Sequence, residues 1–277
     1  MDADQERRGA TVITEGGFPV PGARLAWELS DEGGHPVVQL HGLTSSRARD
    51  RTLGRDLGRG LSGTRLLRYD ARGHGRSTGR PMPSDYRWPV LADDLLRLLE
   101  GIFPGEAVHG VGQSMGAATL LYAAIRDPER FTGLTLMLPP TAWATRARKA
   151  EEYRAAGELV RRHGVEAFVT AGLDGPQPPA KPEAPRTVPD VDPALLPYVF
   201  EGAGTSDLPS LAHIAQVHVP VTVLAWVRDR AHPVSTAQIL AETLPTVDLK
   251  VAATREEVSA WPEVLCADVA RNDEAAV

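Results

Sequence analysis

Short apolar runs separated by polar or amphipathic stretches recur along most of the chain. Those that predict buried strands lie at 36–40, 65–69, 107–111, 133–138, 219–226 and 248–253. Helical spacing of apolar residues predicts helices at 88–99, 117–124 and 260–270. Before them, 12–13 and 24–29 predict an antiparallel hairpin with a turn at 19–22. Because strands alternate with helices, we predict an α/β fold with a doubly wound, mainly parallel sheet.

The sequence pattern changes after Pro139-Pro140. Residues 141–170 are rich in Ala, Arg and Glu and predict helix, whereas 172–197 is rich in proline and has no strand pattern. The strand pattern resumes at 219. We therefore predict a core formed by 1–140 and 213–277, interrupted by a helical insertion at 141–212 that acts as a lid or cap.

Length and charge narrow the class of protein. The chain has 277 residues, 42% of them hydrophobic, and a net charge of −6 from 30 basic and 36 acidic residues. This fits one sizeable α/β domain and gives no basic footprint for nucleic acid. The polar first eight residues do not resemble a secretory signal, and no apolar run is long enough to span a membrane. We expect a cytoplasmic protein without membrane contact; its oligomeric state stays open.

Cysteine and metal chemistry contribute little to the expected function. Cys266 is the single cysteine, which excludes an intrachain disulfide and a thiolate metal cluster and predicts a small buried side chain. His, Asp and Glu nowhere show convincing metal-ligand spacing, so we expect no metal and no cofactor. Arginines also recur at 47, 49, 51 and 55, interleaved with Asp50 and Asp56. We interpret them as a solvated loop or helix face, with a phosphate site as the alternative.

The strongest chemical motif is Gly-Gln-Ser-Met-Gly at 112–116. It fits the G-x-S-x-G nucleophile elbow, a tight turn between a strand and a helix that exposes a serine hydroxyl. Here a predicted strand precedes it and a predicted helix follows it. Glycines at 112 and 116 relieve the crowding that such a strained turn creates. Ser114 is therefore the candidate nucleophile.

Three further motifs accompany the elbow in order along the chain. His41-Gly42-Leu43 follows one predicted strand, Asp-Ala-Arg-Gly-His-Gly-Arg-Ser at 70–77 follows the next, and Asp229 follows the strand at 219–226. Together with the elbow, this order resembles the α/β-hydrolase superfamily over about residues 10–270. The resemblance implies that Ser114 attacks a carbonyl carbon and that Asp229 is the acid of a catalytic triad.

The same resemblance implies an oxyanion hole. Its hydrogen-bond donors would be the backbone N–H groups of Leu43 and Met115, with His41 and Gly42 shaping the binding loop. We interpret His74 as a structural member of a glycine-rich loop. His109, within a predicted buried strand, is expected to be a hydrogen-bonded core residue.

The histidine of the triad breaks the family pattern. It normally follows the last strand, but 253–259 contains none. Arg255 stays protonated and cannot act as a base, and Glu256 and Glu257 are weak bases on a solvated loop. His232 follows Asp229 on a loop that should open at the same sheet edge as Ser114. We predict His232 as the base, oriented by Asp229; the alternative is a loop-packing histidine beside a degraded site.

The leading functional hypothesis is a serine hydrolase of a small ester, lactone or other acyl substrate, acting through an acyl-enzyme on Ser114. Two alternatives remain: a non-catalytic small-molecule binding protein on the same fold, and a non-hydrolytic acyltransferase, lyase or cyclase. Each takes a small molecule as its partner. Aromatic residues of the insertion are candidates for an apolar pocket roof or for simple packing; they are Trp143, Tyr153, Phe168, Tyr198 and Phe200.

Overall fold

The computed structural model describes residues 12–172 and 177–274, with side chains described up to 271. Within these ranges one sheet contains eight strands. They are β1 (Val12–Val20), β2 (Ala23–Asp31), β3 (His35–Leu40), β4 (Thr64–Tyr69), β5 (Val108–Gln113), β6 (Phe131–Met137), β7 (Val221–Trp226) and β8 (Val247–Ala252). Their order across the sheet is β1-β2-β4-β3-β5-β6-β7-β8.

The pairing of these strands confirms the predicted fold class. β1 and β2 form the antiparallel hairpin, whose turn places Gly22 at a φ of 78°. β2 pairs with β4 in antiparallel register, and every neighbour from β4 to β8 runs parallel. All parallel strands therefore end at the same edge of the sheet, where doubly wound folds bind their ligands.

Helices cover both faces of the sheet, which explains why its strands are apolar runs instead of alternating patterns. They are α1 (Arg47–Thr52), α2 (Trp88–Ile102), α3 (Met115–Arg126), α4 (Arg146–Ala171), α5 (Leu196–Gly204), α6 (Leu211–Ile214), α7 (Val234–Thr243), α8 (Arg255–Ser259) and α9 (Trp261–Glu274). Successive strand residues face opposite layers. Val38 belongs to the layer with α2 and α3, whereas Val37 packs in the layer with Leu265 of α9.

The chain between β6 and β7 forms α4, α5 and α6, in agreement with the predicted helical character of this insertion. α4 bends at Gly164, whose φ is 79°, directly after His163. Phe168 lies 5.1 Å from Phe200 and Tyr153 lies 6.0 Å from it, measured between ring centroids, so these aromatic residues pack on one another. The lid role of this segment and the division of the chain into core and lid stay predictions.

The segment between β6 and β7 is hydrogen-bonded to two loops at the carboxyl edge of the sheet. The Asp190 amide donates to the Thr44 carbonyl at 2.9 Å, and the Gly75 amide donates to the Asp190 carbonyl at 2.7 Å. Ser46 Oγ also donates to the Asp190 carboxylate at 2.5 Å. This part of the segment is therefore fastened beside the loop that follows β3.

The arginine-rich stretch at 47–55 differs from the predicted solvated face. Arg47 and Asp50 are buried in α1, and Asp56 is buried just after it. The Asp56 carboxylate accepts from Arg68 at 3.1 Å, and Asp50 accepts from Ser45 Oγ at 2.5 Å. The prediction was wrong because the interleaved acids pair with partners inside the fold instead of with water.

Cys266 is only partly buried, contrary to the prediction, because α9 packs it at the surface beside Gly60, whose carbonyl accepts from Cys266 Sγ at 3.2 Å.

None of the helices in the described part of the chain is both long and apolar enough to cross a membrane.

Candidate active site

The elbow at the end of β5 has a strained backbone. Ser114 has a φ of 52° and a ψ of −107°, a conformation that a side-chain-bearing residue rarely adopts. A Cβ on residue 112 would lie 2.6 Å from the Gly116 carbonyl carbon, and one on residue 116 would lie 2.7 Å from Leu40 Cβ. Glycine is therefore required at both positions. Strain of this kind is typical of functional sites.

The Ser114 hydroxyl meets the imidazole of His232. Ser114 Oγ lies 2.9 Å from His232 Nε2, and His232 Nδ1 lies 2.8 Å from Asp229 Oδ2. When Nδ1 carries the proton and donates to the carboxylate, Nε2 has a free lone pair and accepts from the hydroxyl. The three predicted side chains thus form one continuous hydrogen-bond chain.

The Asp229 carboxylate is held by three further donors. Trp226 Nε1 donates to Oδ2 at 2.6 Å, and the amides of Ala231 and His232 donate to Oδ1 at 2.8 Å and 3.3 Å. Burial would raise the pKa of Asp229, but hydrogen bonds from His232, Trp226 and Ala231, with the charge of His232, lower it well below its usual range. Asp229 is therefore an anion throughout the neutral range.

Local structure explains how a histidine on the β7 loop reaches the elbow. Arg228 has a φ of 62°, which turns the chain sharply after β7. The Ala231 carbonyl then accepts from the Thr141 amide at 3.1 Å, which joins this loop to the one after β6. Pro233 directly precedes α7 with extended backbone and makes no side-chain cap hydrogen bond. The loop is fixed at both ends.

The predicted oxyanion hole depends on two backbone amides. Among the described residues, the N–H groups of Leu43 and Met115 have no hydrogen-bond acceptor. Met115 is the first residue of α3, where the helix dipole favours negative charge. His41 shapes the other loop: it lies 2.8 Å through Nδ1 from the Gly42 carbonyl, and its Nε2 accepts from the Ala71 amide at 2.9 Å.

His74 and His109 are hydrogen-bonded away from Ser114. His74 is fully enclosed with Nδ1 2.9 Å from the Arg72 carbonyl, and burial lowers its pKa to about 3. His109 Nε2 lies 2.9 Å from Thr135 Oγ1, and burial likewise lowers its pKa to about 3. Both are neutral in the fold and agree with the predicted structural roles.

The loop after β8, where the family histidine was expected, begins α8 instead. Thr254 Oγ1 accepts from the Glu257 amide at 3.3 Å, and the Glu257 carboxylate accepts from the Ala253 amide at 2.5 Å and the Thr254 amide at 3.1 Å. This is a capping box, which explains the Glu at that position. Arg255 pairs with Glu183 at 2.6 Å.

A cavity of about 730 Å³ adjoins, at Thr44, the loop formed by residues 41–44. This loop carries the predicted oxyanion donor Leu43 and is called the oxyanion loop. Its polar lining includes Arg49, Arg55 and Lys181, which sequence reasoning did not assign to the site. The described residues contain no cluster of three or more His, Cys, Asp or Glu side chains that could hold a metal ion.

Comparison with known proteins agrees with this geometry. A family model described as "alpha/beta hydrolase fold" matches residues 35–158. The sn-1-specific diacylglycerol lipase ABHD11 of Xenopus laevis is 32% identical over 122 residues, covering 42% of this chain and 38% of the lipase. The dihydrolipoyllysine-residue acetyltransferase component of the acetoin cleaving system of Pseudomonas putida is 31% identical over 156 residues, covering 50% of this chain and 39% of that protein.

The chain spans about two fifths of the length of these two relatives, 38% and 39%. Among solved structures, the enol-lactonase from Burkholderia xenovorans LB400 superposes with a TM-score of 0.74 at 19% identity, over 92% of this chain and 100% of the lactonase. At that identity the likeness concerns the fold. Sheet order, elbow geometry and family model lead to one conclusion: this chain belongs to the α/β-hydrolase superfamily.

Proposed function

We propose that this protein is a serine hydrolase that cleaves a small ester, lactone or related acyl compound through an acyl-enzyme on Ser114. One observation carries the proposal: the unbroken chain from Ser114 Oγ to His232 at 2.9 Å and from His232 to Asp229 at 2.8 Å. A free serine hydroxyl is a weak nucleophile and requires such a base.

In the first half of the reaction, Ser114 Oγ forms a bond to the substrate carbonyl carbon while its proton moves to His232 Nε2. The carbonyl oxygen becomes an oxyanion that accepts from the amides of Leu43 and Met115. Asp229, held ionised by its donors, stabilises the imidazolium. The bond from the carbonyl carbon to the leaving oxygen then breaks, and that oxygen takes the proton from His232.

In the second half, water attacks the acyl-enzyme and gives a proton to His232 Nε2. The second oxyanion collapses, the bond to Ser114 Oγ breaks, and the proton returns to the serine. The acid product leaves and the enzyme is restored. Each catalytic group thus ends in the state in which it began.

Access to the serine involves the segment between β6 and β7. Ser114 is 9% exposed, and Leu43 of the oxyanion loop packs against the apolar cluster around Val199 and Phe200. We infer that residues 141–212 act as a lid that encloses the acyl group and restricts water. The aromatic residues Tyr153, Phe168 and Phe200 support this lid by packing together.

The proposal is tested with a panel of p-nitrophenyl and lactone substrates. We expect hydrolysis by the native protein and none above background by Ser114→Ala. His213→Ala is the matched control, since that exposed histidine bonds Ser210 and lies before β7. Hydrolysis that survives in Ser114→Ala would overturn the proposal.

Product analysis with an added alcohol separates hydrolysis from acyl transfer, the activity in the name of the Pseudomonas putida relative. A hydrolase releases mainly the free acid, whereas an acyltransferase forms mainly the new ester. Recovery of every ligand unchanged would instead indicate the binding-protein alternative.

A further inference from the structure

The cavity beside the oxyanion loop is strongly cationic. Its lining includes Arg49, Arg55, Lys181, Arg186 and Arg255. Among its described lining residues the single carboxylate is Glu183, which already pairs with Arg255 at 2.6 Å. The cavity therefore carries more positive than negative charge on its own wall.

Four of these cations, Arg49, Arg55, Lys181 and the exposed Arg186, have no carboxylate partner at salt-bridge distance within the described part of the chain. Arg49 donates to Thr187 Oγ1 at 2.8 Å and to the Thr44 carbonyl at 2.9 Å, and Lys181 Nζ donates to Gln177 at 2.6 Å. The Arg55 guanidinium has no hydrogen-bond acceptor among these residues, although its side chain is half-buried. Asp50, Asp190 and Asp229 act on these charges only from beyond salt-bridge distance. Partly buried charges without a directly paired carboxylate are costly and favour an anion in the cavity.

The cations also act on one another. Burial lowers the pKa of Lys181, and the charges of Arg55 and Arg49 lower it further, opposed by Asp229. Burial and then Arg55 likewise lower the pKa of Arg49, opposed by Asp50 and Asp190. A bound anion would relieve this repulsion.

The cationic cavity lies next to the hydrogen-bonded residues Ser114, His232 and Asp229. Thr44, which lines it, directly follows Leu43 of the oxyanion loop. Asp229 is close enough for its charge to act on both Arg55 and Lys181. An anionic group bound there would therefore lie beside the loop that carries Leu43.

We propose that Arg49, Arg55 and Lys181 form an anion subsite, so that the preferred substrate is an ester or other acyl compound carrying a carboxylate or phosphate group. This inference rests on the proposed hydrolase function. Planar guanidinium groups suit both anions, because they bind carboxylate and phosphate oxygens in pairs.

The first test compares two esters of equal shape: the p-nitrophenyl monoester of glutaric acid and p-nitrophenyl 5-methylhexanoate, in which an isopropyl group replaces the carboxylate. We expect the native protein to favour the anionic ester. Arg55→Gln should lower the ratio of the two kcat/KM values by about tenfold or more, and Arg55→Lys should restore part of it. Arg162→Gln, at an exposed pair with Glu158, is the control and should leave the ratio unchanged.

The second test measures binding without turnover. Glutarate and inorganic phosphate are titrated into Ser114→Ala with and without Arg55→Gln, by calorimetry, which separates a carboxylate from a phosphate preference. Binding of either anion that Arg55→Gln weakens supports the subsite even if no ester is hydrolysed. Hydrolysis of the neutral ester with an unchanged ratio in Arg55→Gln and no Arg55-dependent anion binding would overturn the subsite and leave the hydrolase intact.

Discussion

His232 Nε2 lies 2.9 Å from Ser114 Oγ although 118 residues separate the two in sequence. The sheet explains this approach, because Ser114 follows β5 and His232 follows β7, and parallel strands end at one common edge. His232 therefore lies on the loop after β7, which also carries the acid Asp229. The loop after β8 contains no histidine. The site keeps the geometry of a triad with two members on one loop.

Replacing the acid tests its orienting role. In Asp229→Asn the amide can donate to His232 Nδ1, which moves the proton to Nε2 and removes the acceptor for Ser114. We expect kcat/KM to fall by on the order of 10³ to 10⁴. Asp248→Asn, at an exposed pair with Lys250, is the control in ester kinetics and should behave like the native protein. Native activity in Asp229→Asn would contradict this role.

The same residue links stability to pH. Because the pKa of Asp229 is lowered in the folded state, the unfolded chain binds its proton more readily. The ionised carboxylate therefore stabilises the fold at pH values above its unfolded pKa of about 4, and this contribution is lost as the pH falls towards the lower folded value.

Thermal unfolding measures this linkage. The native protein should have a higher Tm than Asp229→Asn at pH 7, and the difference should shrink as the pH falls below about 4. A difference that stays constant from neutral to strongly acidic pH would show that the carboxylate charge does not stabilise the fold.

Gly116 of the elbow is expected to be required for stability. Gly116→Ala places a Cβ 2.7 Å from Leu40 Cβ and 2.8 Å from the Leu40 carbonyl oxygen, so the backbone must shift. We expect a loss of about 1–3 kcal/mol in the free energy of unfolding, measured by denaturant titration. Gly204→Ala, whose nearest atom is the Ala150 carbonyl oxygen at 3.5 Å, is the control and should be nearly neutral. Equal effects of the two substitutions would refute the steric explanation.

Glu257 of the α8 capping box is expected to have no role in activity. Glu257→Gln removes the carboxylate but keeps an acceptor for the Ala253 and Thr254 amides. We expect unchanged kcat/KM and unchanged Tm, because glutamine also completes a capping box. Glu257→Ala should lower the Tm and keep the activity. A large loss of kcat in Glu257→Gln would make this residue a base and reopen the role of His232.

Most of the fold could be predicted from the sequence because both faces of the parallel sheet are covered. Strands such as β3 and β7 are then continuous apolar runs, and their ends are marked by motifs. The environment of 47–55 could not be predicted, since burial of Asp50 and Asp56 depends on Ser45 and Arg68 from other elements.

Some residues of the candidate site could likewise be predicted from the sequence, and others could not. Ser114 stands in a local motif, and His232 was found because few histidines could reach the correct sheet edge. The support of Asp229 by Trp226 Nε1 gave no sequence signal, because a tryptophan at the end of an apolar strand looks like core. Lys181 and Arg55 meet only after the segment between β6 and β7 folds over the sheet edge.

The rate of serine labelling tests the central claim most directly. A fluorophosphonate loses fluoride when Ser114 Oγ bonds to phosphorus, and intact-protein mass spectrometry follows the added mass in the native protein, Ser114→Ala, His232→Ala and His213→Ala. We expect labelling of the native protein and of His213→Ala at the same rate, none of Ser114→Ala, and labelling of His232→Ala slower by on the order of 10³ or more. Labelling of His232→Ala at the native rate would contradict the role of His232 as the base that activates Ser114.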